Sequence, residues 1–227
     1  MMCPFKEIDM KRRFFAQWLS ATTFGALFFA AMPVLAADEA PDALMDRLTK
    51  EALDTIASDK GVQAGDVGRI ITLMDEKIMP YVNFQRMTSS AVGPAWRQAT
   101  PAQRKLLESE FKTLLVRTYA GSMSQAKNLS FNIKPLRAAV GDKEVIVRTV
   151  ITGRGDPVQL DYRLEKTPGV GAGWKIYNLN VLGVWLVDTY RSQFAQEINA
   201  RGLDGLIATL TERNKANAAA AAKPAKG

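Results

Sequence analysis

The sequence predicts one α+β domain: helices first, then an antiparallel meander of about four strands, then helices again. Three observations predict it. Apolar residues recur at helical spacing as far as Tyr119, alternate from Leu129 onwards, and return to helical spacing after Val187. Successive strands are separated by turns and not by helices, which argues against the βαβ units of a parallel sheet. No internal repeat and no rich linker divides the chain.

Residues 42–58 repeat Leu44, Leu48, Ala52, Leu53 and Ile56 at helical spacing, with Gly61 as the stop signal. Asp66 can cap a second helix whose apolar side is Ile70, Ile71, Leu73, Met74, Ile78 and Met79, closed by Pro80 and Tyr81. Asn83 caps a short helix through Ala91. Thr100-Pro-Ala-Gln103 combines a capping box with proline at the first helical position. The helix behind it is expected to run to about residue 126 on a stripe of Leu106, Leu107, Phe111, Leu114, Leu115, Thr118 and Tyr119. Strands are expected at 130–135, 145–152, 158–164 and 174–182, with turns at Gly141-Asp142, 153–157 and 168–173. Helices follow at 187–200 and 203–214, separated by Gly202. Residues 215–227, rich in Ala, Lys, Pro and Gly, are expected to be a disordered basic tail.

The N-terminus has the form of an export signal. Lys11, Arg12 and Arg13 precede an apolar run from Phe14 to Met32, and Val34-Leu35-Ala36 offers a cleavage site. Residues 1–36 are therefore expected to be a removed signal peptide, exported by the general or the twin-arginine route. Met10 makes a better signal start than Met1. The only cysteine, Cys3, lies in this segment, so the mature chain has no thiol and rests on its core alone. The net charge of +7 falls mostly at the ends: +2 in residues 1–36, +3 in the tail and +2 in the body. A body so weakly basic is no nucleic-acid footprint.

The chain has no histidine. That removes Ser-His-Asp and Cys-His catalysis and most zinc sites. No calcium loop, phosphate-binding glycine loop or nucleophile elbow is present, so no metal, cofactor or catalytic residue is expected. Asp161, Tyr162 and Tyr119 are the remaining candidates for acid–base work. Asp161 alternates with Tyr162 and so points to the opposite face, which weakens that reading. Val145, Val147, Thr149 and Ile151 share one strand face, as do Val158, Leu160, Tyr162 and Leu164. In the fourth strand Ile176, Asn178, Asn180 and Leu182 are expected on one face, and Tyr177, Leu179 and Val181 on the other. Met74, Ile78, Met79, Tyr81, Phe84 and Met87 form a flexible apolar group at a helix end. Asp188 and Arg191 are spaced to pair on a helix surface.

Gly93-Pro-Ala-Trp-Arg-Gln-Ala-Thr-Pro-Ala-Gln-Arg104, Phe111-(x)3-Leu115-(x)3-Tyr119, Gly173-Trp174-Lys-Ile-Tyr-Asn178 and the stretch from Val181 to Leu210 occur in order. With them the chain resembles the MlaC / toluene-tolerance family of periplasmic phospholipid-binding proteins over roughly residues 40 to 214. It departs at Trp185, where a serine is frequent in the family. The resemblance implies a single lipid-binding domain over 37–214. Its fold would be similar to the nuclear-transport-factor-2 superfamily, with lipid tails inside a cone-shaped cavity. It implies a carrier between an outer-membrane lipoprotein/porin complex and an inner-membrane ABC transporter with its periplasmic lipid-binding subunit, maintaining outer-membrane lipid asymmetry. Phospholipid would be its cargo. A related branch associated with hopanoid lipids leaves that cargo as an alternative, and an acid–base enzyme of the same fold is another. The expected lining is Met79, Tyr81, Phe84, Met87, Leu115, Tyr119, Val147, Thr149, Leu160, Tyr162, Leu164 and Val181. Arg86, Arg97 and Arg148 neighbour these residues and are expected near the mouth.

Overall fold

Short-range caps start most of the helices, and the computed structural model describes them within residues 38–124, 128–139, 141–153 and 155–221. The signal-peptide reading and the far tail lie outside the described residues. Helix α1 spans Pro41–Ser58 and buries Leu44, Met45 and Leu48. It stops before Gly61 because Asp59 turns extended and caps the single turn α2, Lys60–Gln63, through Val62 N at 3.0 Å. Asp66 caps α3, Val67–Leu73, by accepting from Arg69 N. That helix widens into a π-helical turn, Met74–Ile78, and tightens into a 3-10 turn, Met79–Tyr81, around Pro80. Asn83 caps α4, Phe84–Val92, through Arg86 N.

The capping box predicted at Thr100 forms in both directions. Thr100 N donates to Gln103 Oε1 at 2.9 Å, and Gln103 N donates to Thr100 Oγ1 at 3.2 Å. It opens α5, Pro101–Ser124. The strands are β1 (Ser130–Ile133), β2 (Glu144–Thr152), β3 (Val158–Lys166), β4 (Trp174–Val181) and β5 (Val184–Trp185). They pair antiparallel in sequence order as one open curved sheet. The fifth strand escapes a sequence reading because two residues are too short to show alternation. It follows a turn in which Leu182 and Gly183 both have positive φ, the backbone of a tight hairpin.

Helix α6 runs over Leu186–Ala221, interrupted at Gly202, where φ is 70° and ψ −172°. The predicted break is therefore present. The predicted disordered tail from Lys215 is corrected as far as Ala221, which is helical: an alanine run has the highest helix propensity and extends a helix already formed.

Among the described residues three apolar clusters hold the domain. Helices α4, α5 and α6 enclose Met87, Leu107, Phe111, Leu114, Tyr190, Phe194, Leu206 and Leu210. Helix α1 packs Leu44, Met45 and Leu48 on Val145, Val147, Leu164, Trp174 and Ile176 of the sheet. A smaller cluster joins Val62 and Ile70 to Val116 and Ala120 of α5.

Candidate functional site

Antiparallel partners share a face, so the register reads the inner face of the sheet row by row. Val145 stands beside Leu164 and Ile176, Val147 beside Tyr162 and Leu179, Thr149 beside Leu160 and Val181, and Ile151 beside Val158. The first row is closed under α1. Further along, Leu160, Tyr162, Leu179, Val181, Ile151 and Val158 are only half-buried. Leu179 and Val181 carry this face to the helical cluster, against which half-buried Leu115, Tyr119 and Phe84 also pack. An apolar surface that is neither solvated loop nor closed core thus runs from β3 across β4 to the helices.

The predicted face of β4 needs correction. A register shift between Arg163 and Leu164 leaves Tyr177 without a β3 partner, so Ile176 and Leu179 both face inward. The alternation that placed Ile176 with Asn178 is broken by that extra residue. Asn178 and Asn180 lie on the other face and are buried, at 2% and 4% exposure. Asn178 Oδ1 accepts from Val187 N at 3.1 Å, satisfying a donor in the first turn of α6, while Asn180 Oδ1 accepts from Gly183 N and fixes the β4–β5 turn.

The other predicted residues separate into groups. Val147, Thr149 and Leu164 share the inner face with Leu160 and Tyr162 but are fully buried. Of the methionine-rich group, Phe84 and Met87 share the helical cluster and the others are dispersed. Met87 is buried in the helical cluster, Met74 packs with the third cluster, and Tyr81 packs with the α1 cluster under the Arg47 guanidinium, 5.2 Å from its ring. Met79 is half-buried in the 3-10 turn.

The acid–base candidates are not assembled either. Asp161 faces away from Tyr162, is 6% exposed and accepts from Gln159 Nε2 at 2.8 Å. Burial pushes the Tyr162 hydroxyl up to about 12, and burial also raises Tyr119, so both stay neutral at physiological pH. Among the described residues no cluster of acidic or thiol side chains can hold a metal, and no helix is long and apolar enough to cross a membrane. Its apolar side chains suit the inner face to enclosing apolar matter.

Cations expected at a mouth sort differently from their sequence neighbourhoods. Arg86 lies across the Tyr177 ring at 3.6 Å and binds Glu165 and Glu144 at 2.5 and 2.6 Å, clamping α4 to the sheet. The expected Asp188–Arg191 pair is replaced by Asp188–Arg163 at 3.6 Å, because Arg163 reaches over Trp185 to the first turn of α6.

The clamp has a pH signature. The Arg86 guanidinium, aided by the Tyr177 hydroxyl, holds the Glu144 carboxyl below its ordinary value of 4.5. A carboxyl depressed in the folded state stabilises the fold above its unfolded value and loses that contribution as pH falls through the folded one. The stability difference between the protein and Glu144→Gln is therefore expected to be level near neutrality and to shrink as pH drops below 4.5. Thermal melts across acid pH check this, and a difference that persists unchanged into acid refutes the clamp's electrostatic role.

Fold and site together define an α+β protein with a half-open apolar face between a curved sheet and helices. The chain matches the MlaC protein family over residues 46–212 and belongs to that family. It is 25% identical over 180 residues to toluene tolerance protein ttg2D of Pseudomonas putida, covering 78% of this chain and 82% of that protein. It is 21% identical over 198 residues to the intermembrane phospholipid transport system binding protein MlaC of Haemophilus influenzae, covering 86% and 92%. Among solved structures it is similar to the phospholipid-binding protein from Ralstonia solanacearum in complex with a phospholipid. That similarity has a TM-score of 0.75 and 42% identity over 78% of this chain and 98% of that one.

Proposed function

We propose that this protein is a periplasmic phospholipid carrier. The observation that carries the reading is the half-buried apolar surface from Leu160 and Tyr162 across Leu179 and Val181 to Leu115 and Tyr119. The phospholipid bound by the similar Ralstonia solanacearum protein supports it. The physics fits a carrier. Each buried methylene is worth about 0.8 kcal/mol, so two acyl chains of roughly fifteen methylenes gain on the order of 20 kcal/mol when hidden from water. Spontaneous escape into water is then very slow, and unloading needs a partner that offers another apolar surface. An outer-membrane lipoprotein/porin complex at one end of the route and an inner-membrane ABC transporter at the other are the partners this reading implies. The chain needs no cofactor for the task.

Native mass spectrometry of protein taken from the periplasm tests the proposal. The expected result is a chain beginning at Ala37 with a co-purified diacyl phospholipid. A folded, empty chain, or one holding a hopanoid instead, overturns the phospholipid assignment. Retention of residues 14–32 overturns the freely diffusing carrier.

A further inference from the structure

The back of β2 carries a feature outside the proposed cargo face. An open depression of about 400 Å³ is lined by Arg137, Glu144, Ile146, Arg148, Arg163 and Tyr177, with Val145 at its edge. Ile146 and Arg148 alternate with Val145, Val147 and Thr149, so the depression lies on the face opposite the apolar one. Its charges are one-sided. Glu144, its one carboxylate among the described residues, is already held by Arg86 and by the Tyr177 hydroxyl. Arg163 has a single long ion pair to Asp188, at 3.6 Å. Arg137 and Arg148 are exposed, and among the described residues their side chains make no hydrogen bond or ion pair. A concave floor with an aliphatic and an aromatic side chain is thus ringed by arginines, two of them unpaired.

We propose that this depression is the docking site for an acidic segment of a protein partner. Arginine forks match carboxylates in two-point geometry, and Ile146 and Tyr177 offer apolar contact beneath them. Concavity favours a protruding protein segment over a bilayer, whose surface is flat. A partner seated on the back of the sheet leaves the apolar face free, and its charges would set the rate and orientation of encounter more than final affinity. The inference rests on the carrier reading for its purpose, since only a carrier needs to dock while its cargo face stays open.

The test is an NMR titration of the isotopically labelled, lipid-loaded protein with a synthetic glutamate-rich peptide carrying one central leucine. Saturable shifts confined to the amides of Ile146, Arg148, Arg163 and Tyr177 are expected. Arg137→Glu/Arg148→Glu is expected to weaken binding tenfold or more, and raised salt to weaken it in the unaltered protein. Lys50→Glu/Lys105→Glu makes the same charge change at exposed positions on α1 and α5 and is expected to alter it less than twofold. Shifts spread over the whole surface, or equal weakening in the two double variants, overturn the site. Binding to phosphatidylglycerol vesicles that is lost in Arg137→Glu/Arg148→Glu, without localised peptide shifts, overturns the protein partner in favour of a membrane. Lipid content is measured on the same samples by mass spectrometry. Absence of lipid counts against the carrier reading, whereas the peptide shifts alone decide whether the depression docks an acidic segment.

Discussion

A Leu160→Arg protein is expected to fold but to be isolated without bound phospholipid. Leu160 is half-buried on the inner face, between Thr149 and Val181, and belongs to none of the three packed clusters. Its removal therefore takes little from the core. In the empty protein the arginine stem can lie along the apolar surface with its guanidinium turned to water. Acyl chains would close that exit, and burying an unpaired charge against them costs several kcal/mol. Lipid-to-protein ratio by native mass spectrometry reads the effect, and a thermal melt beside it reads the fold. Leu160→Met keeps the apolar volume and is expected to keep the lipid. A folded Leu160→Arg protein with full lipid content would sink the assignment of this face.

Phe111→Ala is expected to destabilise the folded state by about 3–5 kcal/mol, the range for emptying a buried aromatic site. Phe111 is fully buried at the centre of the helical cluster. Its ring meets Tyr190 at 4.9 Å and Phe194 at 5.2 Å, both edge-on, and Phe84 at 5.7 Å. These contacts join α4, α5 and α6 at one side chain, so the cavity cannot collapse by moving a single helix. For a domain of this size the melting temperature should fall on the order of 10 °C. Leu106→Ala, one turn away on the exposed side of α5, should change stability by less than about 0.5 kcal/mol. Denaturant or calorimetric unfolding of both variants checks the contrast. Equal losses would mean that the cluster is not where the domain's stability resides.

Arg86 shows why the surroundings of the site were harder to read than its elements. Its neighbours in sequence placed it near a mouth, yet it closes on Glu144 and Glu165, 58 and 79 residues away. The inner face itself was half legible. Strict alternation put Val145, Val147 and Thr149 on one face of β2, and Leu160, Tyr162 and Leu164 on one face of β3; the register joins the two sets. In β4 the same rule failed at Tyr177, because a bulge adds a residue that a single strand's pattern does not show. The methionine-rich group failed for another reason. Where the helix changes pitch, π-helical and then 3-10, Met74 packs into the third cluster and Tyr81 into the α1 cluster, while Phe84 and Met87 on α4 join the helical one.

By itself the sequence determined what is local: helix and strand types, the caps at Asp66, Asn83 and Thr100, the break at Gly202, and the absence of histidine that removes imidazole-based catalysis. These depend on residues three or four positions apart or on composition, and such interactions are written in the chain order. Tertiary structure alone decided the bulge that turns both Ile176 and Leu179 inward, the burial of Asn178 beneath α6, and the arginine-ringed depression on the back of β2. Each requires two distant segments to close on one another. Their register is set by the balance of all packed contacts, which no window of sequence contains.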